Sequence, residues 1–596
     1  MKVQNRLLWA VFMLGLLIGS ISLEAAVPAI LQEMPGDCQI VVATQPIAAL
    51  SKKVDSFARQ AQLPVNPNEP LNLAEMIAGE LDIPGQVDAS QGVGLCVKDV
   101  TRFQQTLVAF LPVLNSSTAI TKMGAQKAEG LSGIWTLPEE GVFIKPAGQY
   151  LLVADNAELL TGLGQRPKGV QLTPAQQELF SKSDAAGLIK LGALLQQVKP
   201  MILGAVAEEE ELQKHSSLVK ILTMAVDRLV EVDNAALGIR LTGEGISLGI
   251  QGQAQAGSTL AKYLSNHPMT DTSTLAKLPK SNFIFATAAQ LDHSLLFSPL
   301  EAIIDAFAAD ASFGEKLDPA ELNQLKSLLS KMATAMGSGS TGQVLYMPTP
   351  GAAGGGIKVV ELASHSMNMT TVTDTWAQMC PLITRMTERA GFKLLLNYQK
   401  KAGAVEGLSY DEFTVDLSQL PLPPEVMQML AMQWGGQAKI TEQICSVSPN
   451  LTATAMGPGA IQEAVKLAKT VPAGLNQDPM IVKTAQNLPR QANMLGFVNV
   501  GPYLQWAMSS MMPTQPGAAA NPMAMMAPMF AQIKGTVGAA AVIKDGRVEM
   551  DIFIPTELVQ SGVGAYMTMM MMMMQPPPGT QQPGQNQPGQ QPSTFE

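Results

Sequence analysis

Apolar and polar residues alternate with period two in a phrase that this chain uses twice, and other short apolar runs also come in matched pairs. Gly187-Leu188-Ile189-Lys190-Leu191-Gly192-Ala193-Leu194-Leu195-Gln196 has a counterpart in Gly496-Phe497-Val498-Asn499-Val500-Gly501-Pro502-Tyr503-Leu504-Gln505. Both copies have glycines at the same two places, an alternation between them and a Leu-Gln exit. Such alternation predicts a strand buried on one face, and the glycine after it predicts a turn into the next element.

Four further pairs follow in the same order. Gln39–Thr44 is opened by Pro35-Gly36-Asp37-Cys38 and followed by helical spacing from Ile47 to Gln62; its match is Phe283–Thr287, opened by Pro279-Lys280-Ser281-Asn282. Gly92–Val97 corresponds to Gly342–Met347, and the strand and helix start Tyr150–Leu160 to Leu451–Ile461. Each half closes with a hairpin: Leu237–Leu241, a turn at Thr242–Gly245 and Ile246–Gln251, then Ala539–Ile543, the turn Lys544-Asp545-Gly546-Arg547 and Val548–Ile554. Asp-Gly between alternating strands is a strong hairpin signal, because both turn residues can take positive φ.

These pairs predict an α+β protein of two tandem homologous halves, residues 27–265 and 279–563, each a mainly antiparallel sheet with helices packed on one face. A polar linker is expected at 266–278. Helical insertions are expected at Pro174–Lys182 and Pro200–Glu231, a glycine-rich loop at Gly351–Gly356 and a Met/Pro-rich excursion at 509–528. The Met/Gln/Pro tail, 564–596, is too poor in core-forming residues to offset its ordering entropy, which predicts disorder.

Length, 596 residues, supports more than one core. The net charge of −10, without a run of Lys or Arg, argues against a nucleic-acid partner. Export is the strongest statement about location. Lys2 and Arg6 precede an apolar run from Leu7 to Ile21 and the small residues Ala25 and Ala26, the layout of a signal peptide over residues 1–26. The run is shorter than the roughly 20 apolar residues of a spanning helix, so an uncleaved anchor at residues 7–21 is the lesser reading. The expected location is periplasmic or extracellular. None of the four cysteines is in a CxxC arrangement; an oxidising compartment allows pairs Cys38–Cys96 and Cys380–Cys445, against the alternative of small buried side chains.

Catalytic constellations are missing from the sequence. His215, His267, His293 and His365 are isolated, and there is no HExxH, Walker loop, GxSxG elbow or GxGxxG after a strand. Ser217-Leu218-Val219-Lys220 fits SxxK without the SDN and KTG partners that give it meaning. Gly337–Gly342 reads as a flexible connection more readily than as an anion-binding nest, and Glu208–Glu211 as a solvated helix face. Met508, Met511, Met512, Met523, Met525, Met526 and Met529 have a spacing that suits Cu(I), but no His or Cys accompanies them and prolines interrupt the run. Apolar filler is the simpler account. No cofactor or metal is expected.

The Pro35–Thr44 opening, its Pro279 echo, the Tyr150–Leu160 strand-helix and the Leu237–Tyr263 hairpin-helix resemble a family of exported bacterial proteins of unknown function, with a duplicated α+β body and a Pro/Gly/Gln-rich end. The resemblance covers most of residues 35–560 and implies export and duplication but no activity. The functional expectation is a non-catalytic binding or scaffold protein of the cell envelope, whose partner is an envelope protein. The alternatives are a carrier of lipid or another apolar ligand, consistent with a mean hydropathy of +0.15, and an enzyme whose site has no known motif.

Overall fold

The computed structural model describes residues 26–574, apart from 64, 67, 164–168, 209–215, 266, 281, 309–316, 347–358, 391–393, 419–426, 428–437, 471–473, 512–529 and 531. The expected signal segment, the Gly351–Gly356 loop and most of the Met/Pro-rich excursion lie outside the described residues.

The first half contributes β1 (Ile40–Thr44), β2 (Gly94–Val97), β3 (Leu107–Pro112), β4 (Gln126–Lys127), β5 (Trp135–Leu137), β6 (Val142–Ala147), β7 (Tyr150–Ala154), β8 (Ala185–Ile189), β9 (Val232–Thr242) and β10 (Gly245–Ala254). The second contributes β11 (Phe283–Asp292), β12 (Ser338–Tyr346), β13 (Val359–Ser364), β14 (Leu395–Val405), β15 (Leu408–Asp416), β16 (Lys439–Ser448), β17 (Leu451–Met456), β18 (Met494–Asn499), β19 (Thr536–Lys544) and β20 (Arg547–Pro555). Every pairing between them is antiparallel, and together they make one sheet.

Their spatial order is β4-β5-β6-β7-β3-β2-β1-β8-β9-β10 in the first half. In the second it is β14-β15-β16-β17-β13-β12-β11-β18-β19-β20, the same order. The halves meet where β10 pairs with β20, from Gly245↔Pro555 to Gln253↔Arg547, with Gly249 opposite Asp551 at the middle. Both hairpins turn at the same place, Thr242↔Gly245 and Lys544↔Arg547, so Gly249 and Asp551 hold equivalent positions and the seam has a local two-fold at that pair. Register agrees elsewhere: Val42↔Gly187 and Val42↔Leu95 in the first half match Thr287↔Gly496 and Thr287↔Gln343 in the second. It also moves two sequence matches by two residues, since Gly94 rather than Gly92 occupies the place of Gly342 and Leu152 rather than Tyr150 that of Leu451.

Helices α1 (Ile47–Gln60), α2 (Leu73–Glu80), α3 (Ser116–Lys122), α4 (Ala157–Leu163), α5 (Pro174–Lys182), α6 (Leu191–Glu208) and α7 (Ser216–Val230) belong to the first half. Counterparts of α1–α6 in the second are α8 (His293–Ala308), α9 (Pro319–Met336), α10 (Met369–Ala390), α11 (Ala460–Thr470), α12 (Pro479–Ala485) and α13 (Val500–Met511); α14 (Thr556–Met574) follows β20. In α5 the Thr173 side chain and Gln176 form a reciprocal capping box with proline in the first turn.

The first half departs from the expected single helical layer. One face of its sheet packs Ala109, Leu111, Leu151 and Val153 against α1, α2 and α3. The other packs Val108, Phe110, Leu152 and Ala154 against α4, α5 and the turn Ile30–Glu33. β3 and β7 are buried at every position, so both faces need cover.

Other expectations are corrected. The second glycine of the repeated phrase lies inside the first turn of α6 and α13, not in a turn between elements. The helix expected from Pro200 begins at Leu191 and carries Pro200 within it. The expected linker belongs to the second core: Thr272–Lys277 is a 3-10 turn, Leu275 and Leu278 are fully buried, and Thr270 bridges Ala492. The expected disorder of the tail gives way to helix as far as Met574, since methionine is a good helix former and the first prolines come at Pro576.

Candidate binding site at the junction of the halves

Where the halves join, a cavity of about 630 Å³ opens on the face of the sheet that carries α5 and α12. Its floor is Gly238 and Arg240 of β9, Ser247 and Gly249 of β10, Glu549 and Asp551 of β20, and Val542 and Lys544 of β19. Glu178, Leu179, Lys182 and Ser183 wall it from the first half; Gln486–Pro489 and Gln491 wall it from the second, and Met269 closes the rim. The glycines make this packing possible. A Cβ at Gly238 would lie 2.1 Å from Ser183 Oγ, and one at Gly249 would lie 2.7 Å from Leu179 Cδ1.

The lining is charged. Glu178 pairs with Lys182 one turn along α5, and Arg547 Nε lies 2.7 Å from Glu549 Oε1. Among the described residues, the side chains of Arg240, Lys544 and Asp551 have no hydrogen-bond or ion-pair partner, and Ser247 Oγ is buried without one. Burial pushes the Asp551 carboxyl above its ordinary range and Glu549 adds to this, while Arg240 and Lys182 oppose it. Ser183 Oγ donates to Leu179 O at 2.7 Å and meets no base.

On the opposite face β9, β10 and β20 present Leu237, which is 47% exposed, together with Ile239, Leu248, Ile250, Met550 and Ile552, all half-buried. Farther into the second half this face turns polar. Gln343 donates to Glu361, whose carboxyl burial raises, and burial and then Glu361 raise Glu442. Register places Ala363, two residues from Glu361, where the first half has the buried Ala109. Helices α8, α9 and α10 pack there through a separate cluster centred on Leu328, Met332, Met379 and Leu382.

Among the described residues singled out in the sequence, one pair is brought together. Cys38 and Cys96 are joined by a disulfide, whereas Cys380 and Cys445 are separate buried thiols, so the second expected pair is not formed. Burial pushes the Cys380 thiol up to about 11. His267 Nε2 lies 2.9 Å from Tyr263 O; His365 is buried with Nε2 2.7 Å from Thr452 Oγ1, and burial lowers its pKa. His293 opens α8, and His215 lies outside the described residues. Ser217 and Lys220 stand one turn apart in α7. Ser338–Gly342 is part of β12, paired with β11, so its amides serve the ladder and form no nest. Met508 and Met511 lie in α13, and the other candidate copper methionines fall outside the described residues. Among the described residues, no group of three His, Cys, Asp or Glu side chains could hold a metal ion, and no helix is long and apolar enough to cross a membrane. The junction charges carry no motif. They come from three strands and a helix far apart in the chain, and the signal of the site in the sequence was the set of matched pairs that predicts a junction.

No protein-family model matches the chain, and neither a curated protein nor a solved structure matches it.

Proposed function

We propose that this chain is an exported, non-catalytic binding protein of the bacterial cell envelope, built by tandem duplication of an α+β module, with its ligand seated between the halves. One observation carries the reading: the cavity floor is assembled from both halves across the β10–β20 seam and carries charged groups of both signs. Clefts between repeated units, lined by a few convergent polar groups, are common ligand sites. The identical strand orders support the duplication, as does the fall of all five sequence pairs on equivalent strands. The resemblance to exported proteins of unknown function belongs to the same proposal, as does the signal peptide.

The test is a thermal-shift screen of polar metabolites and peptides against the full mature chain and an Arg240→Ala/Asp551→Asn variant. Ligands that stabilise the wild type and fail to stabilise the variant support the site. Ligands that stabilise both equally place binding elsewhere and overturn it.

A second reading, a carrier of apolar ligand, rests on the apolar outer face around Leu237, Leu248 and Met550. Native mass spectrometry of protein purified without detergent decides it, since lipid-free spectra remove the carrier reading.

A further inference from the structure

Resting on the second reading above, we infer that the outer face of the seam holds a phospholipid by its two acyl chains and leaves the headgroup outside. Eight consecutive strands, β1-β8-β9-β10-β20-β19-β18-β11, share this face. Apart from Asp233 at the start of β9, no position on it carries a charge, and its hydroxyl groups are those of Thr44 and Thr287. Leu237, Phe285 and Met494 are exposed along it. Glycines tell the two faces of the sheet apart. On the junction side a Cβ at Gly238 or Gly249 would lie 2.1 or 2.7 Å from another side chain. On the outer side a Cβ at Gly252 would meet nothing within 4 Å, and one at Gly496 would meet Thr287 Cγ2 at 4.0 Å. The junction face is packed and the outer face stands open above its floor.

The surroundings of this floor select its occupant. Helices α1, α2 and α3 cover the same face farther into the first half. In the second half α10 covers it over β15, with Trp376 5.6 Å from Phe413 between ring centroids, and α9, α8 and α7 follow in a row. A helix is about 10 Å thick, so the floor lies in a trough between two walls. The sheet of a second copy, or a flat bilayer, is held off by walls of that height, whereas a single molecule enters. Seven inter-strand steps make the trough about 34 Å across, and the four residue steps from Leu248 to Gly252 make it about 14 Å along the strands. That area matches the largest apolar patches of monomeric proteins, which are often functional. An acyl chain reaches half-way through a hydrocarbon core of about 30 Å, so two chains of about 15 Å each fit across the floor. The floor carries no Lys or Arg, so a fatty acid lying in it would bury its carboxylate without a partner, at a cost that a phospholipid avoids by keeping its charge at the rim. Near β9 the apolar surface runs on to α6 and α7, which have no buried side chain among those described and expose Met201 and Leu229.

Lipid extraction tests this. The full mature chain is incubated with dipalmitoyl phosphatidylcholine vesicles, the vesicles are sedimented, and lipid left in solution with the protein is measured. The chain should carry phosphatidylcholine away and take dipalmitoyl phosphatidylglycerol equally well, while dihexanoyl phosphatidylcholine should bind at least tenfold more weakly. Gly252→Leu and Gly496→Leu project into open space, so they should keep the wild-type melting temperature and lower extraction at least tenfold. Leu237→Glu, a charge at an exposed floor position, should lower it as well and serves if either leucine variant fails to fold. If palmitate loads, phospholipid does not, and Gly252→Leu blocks palmitate, the carrier reading stands and the phospholipid is overturned. If neither palmitate nor phospholipid loads, the carrier reading falls with it. Extraction that none of the three variants reduces places the lipid elsewhere and overturns the trough. Cosedimentation with vesicles without extraction, or a dimer that Gly252→Leu dissociates, overturns the single lipid in favour of a membrane surface or a second copy.

Discussion

Two glycines explain at the scale of single residues why the repeated phrase has the spacing it does. Gly192 and Gly501 sit in the first turn of α6 and α13, and a Cβ on either would meet backbone: Val232 O at 2.6 Å and Ile533 O at 2.5 Å. In both halves the chain coming back into the sheet passes against this glycine, so the residue is fixed by close approach rather than by a turn. Gly192→Ala and Gly501→Ala should each cost about 1–3 kcal/mol through overpacking, measured by denaturant unfolding; alanine tolerated at both sites would refute the account. Glu442 makes a pH-dependent case. Its carboxyl is raised by burial and then by Glu361, so the folded state binds a proton more readily than the unfolded chain. That contribution leaves stability highest below the unfolded pKa and removes it as pH rises through the folded one. Glu442→Gln should therefore raise the melting temperature at pH 7 and change it little at pH 4. A gain of equal size at both values would show that charge is not the cause.

Elements differed in how legible they were. The matched pairs picked out β1, β2, β7, β8 and both closing hairpins, and the Asp545-Gly546 turn does take positive φ at both residues. Helical cover was less readable because β3 and β7 carry apolar residues at every position, and a run buried on both faces has no period to show which side is solvated. The start of α6 was missed for a different reason. Gly192 and Pro200 are ordinary helix-ending signals, yet Pro200 stands inside the helix. The junction charges were invisible, since nothing local ties Arg240 to Asp551. Cysteine spacing was equally silent about pairing: the Cys38–Cys96 bond ties the approach to β1 to its neighbour β2, while Cys380 on α10 and Cys445 on β16 stay apart. The bonded pair is separated by 58 residues, a loop whose closure contributes about 4 kcal/mol in the chain-entropy model. Reduction should thus lower the melting of the first half and leave the second unchanged. Two calorimetric transitions falling together, or neither moving, would contradict this.

The two halves of the molecule have separate cores and share a narrow seam. The buried clusters of the first half draw only on residues from Ile30 to Ala236, and those of the second on residues from Leu275 to Phe553. Between them run the β10–β20 ladder, the packing of α7 against α8, a small cluster of Phe57, Ala61 and Leu241 with Ile246 and Val559 of α14, and bonds such as Thr556 N to Glu244 O at 2.8 Å. Cutting the chain at this seam leaves β10 as a long unpaired edge, the feature that most readily recruits another strand. The ladder is symmetric about Gly249 and Asp551, so β10 already has the length and direction to pair with a second β10 in the same register. Residues 27–265 expressed alone should therefore fold and form a two-fold dimer, seen as a single species of twice the monomer mass in light scattering. Asp551 would then be replaced by a second Gly249, which removes the acidic group from the floor of the seam. A folded monomer would mean that the seam depends on α14 and the bonds to Glu244 rather than on strand pairing. Unfolded material would mean that the two halves, for all their separate cores, need each other to form.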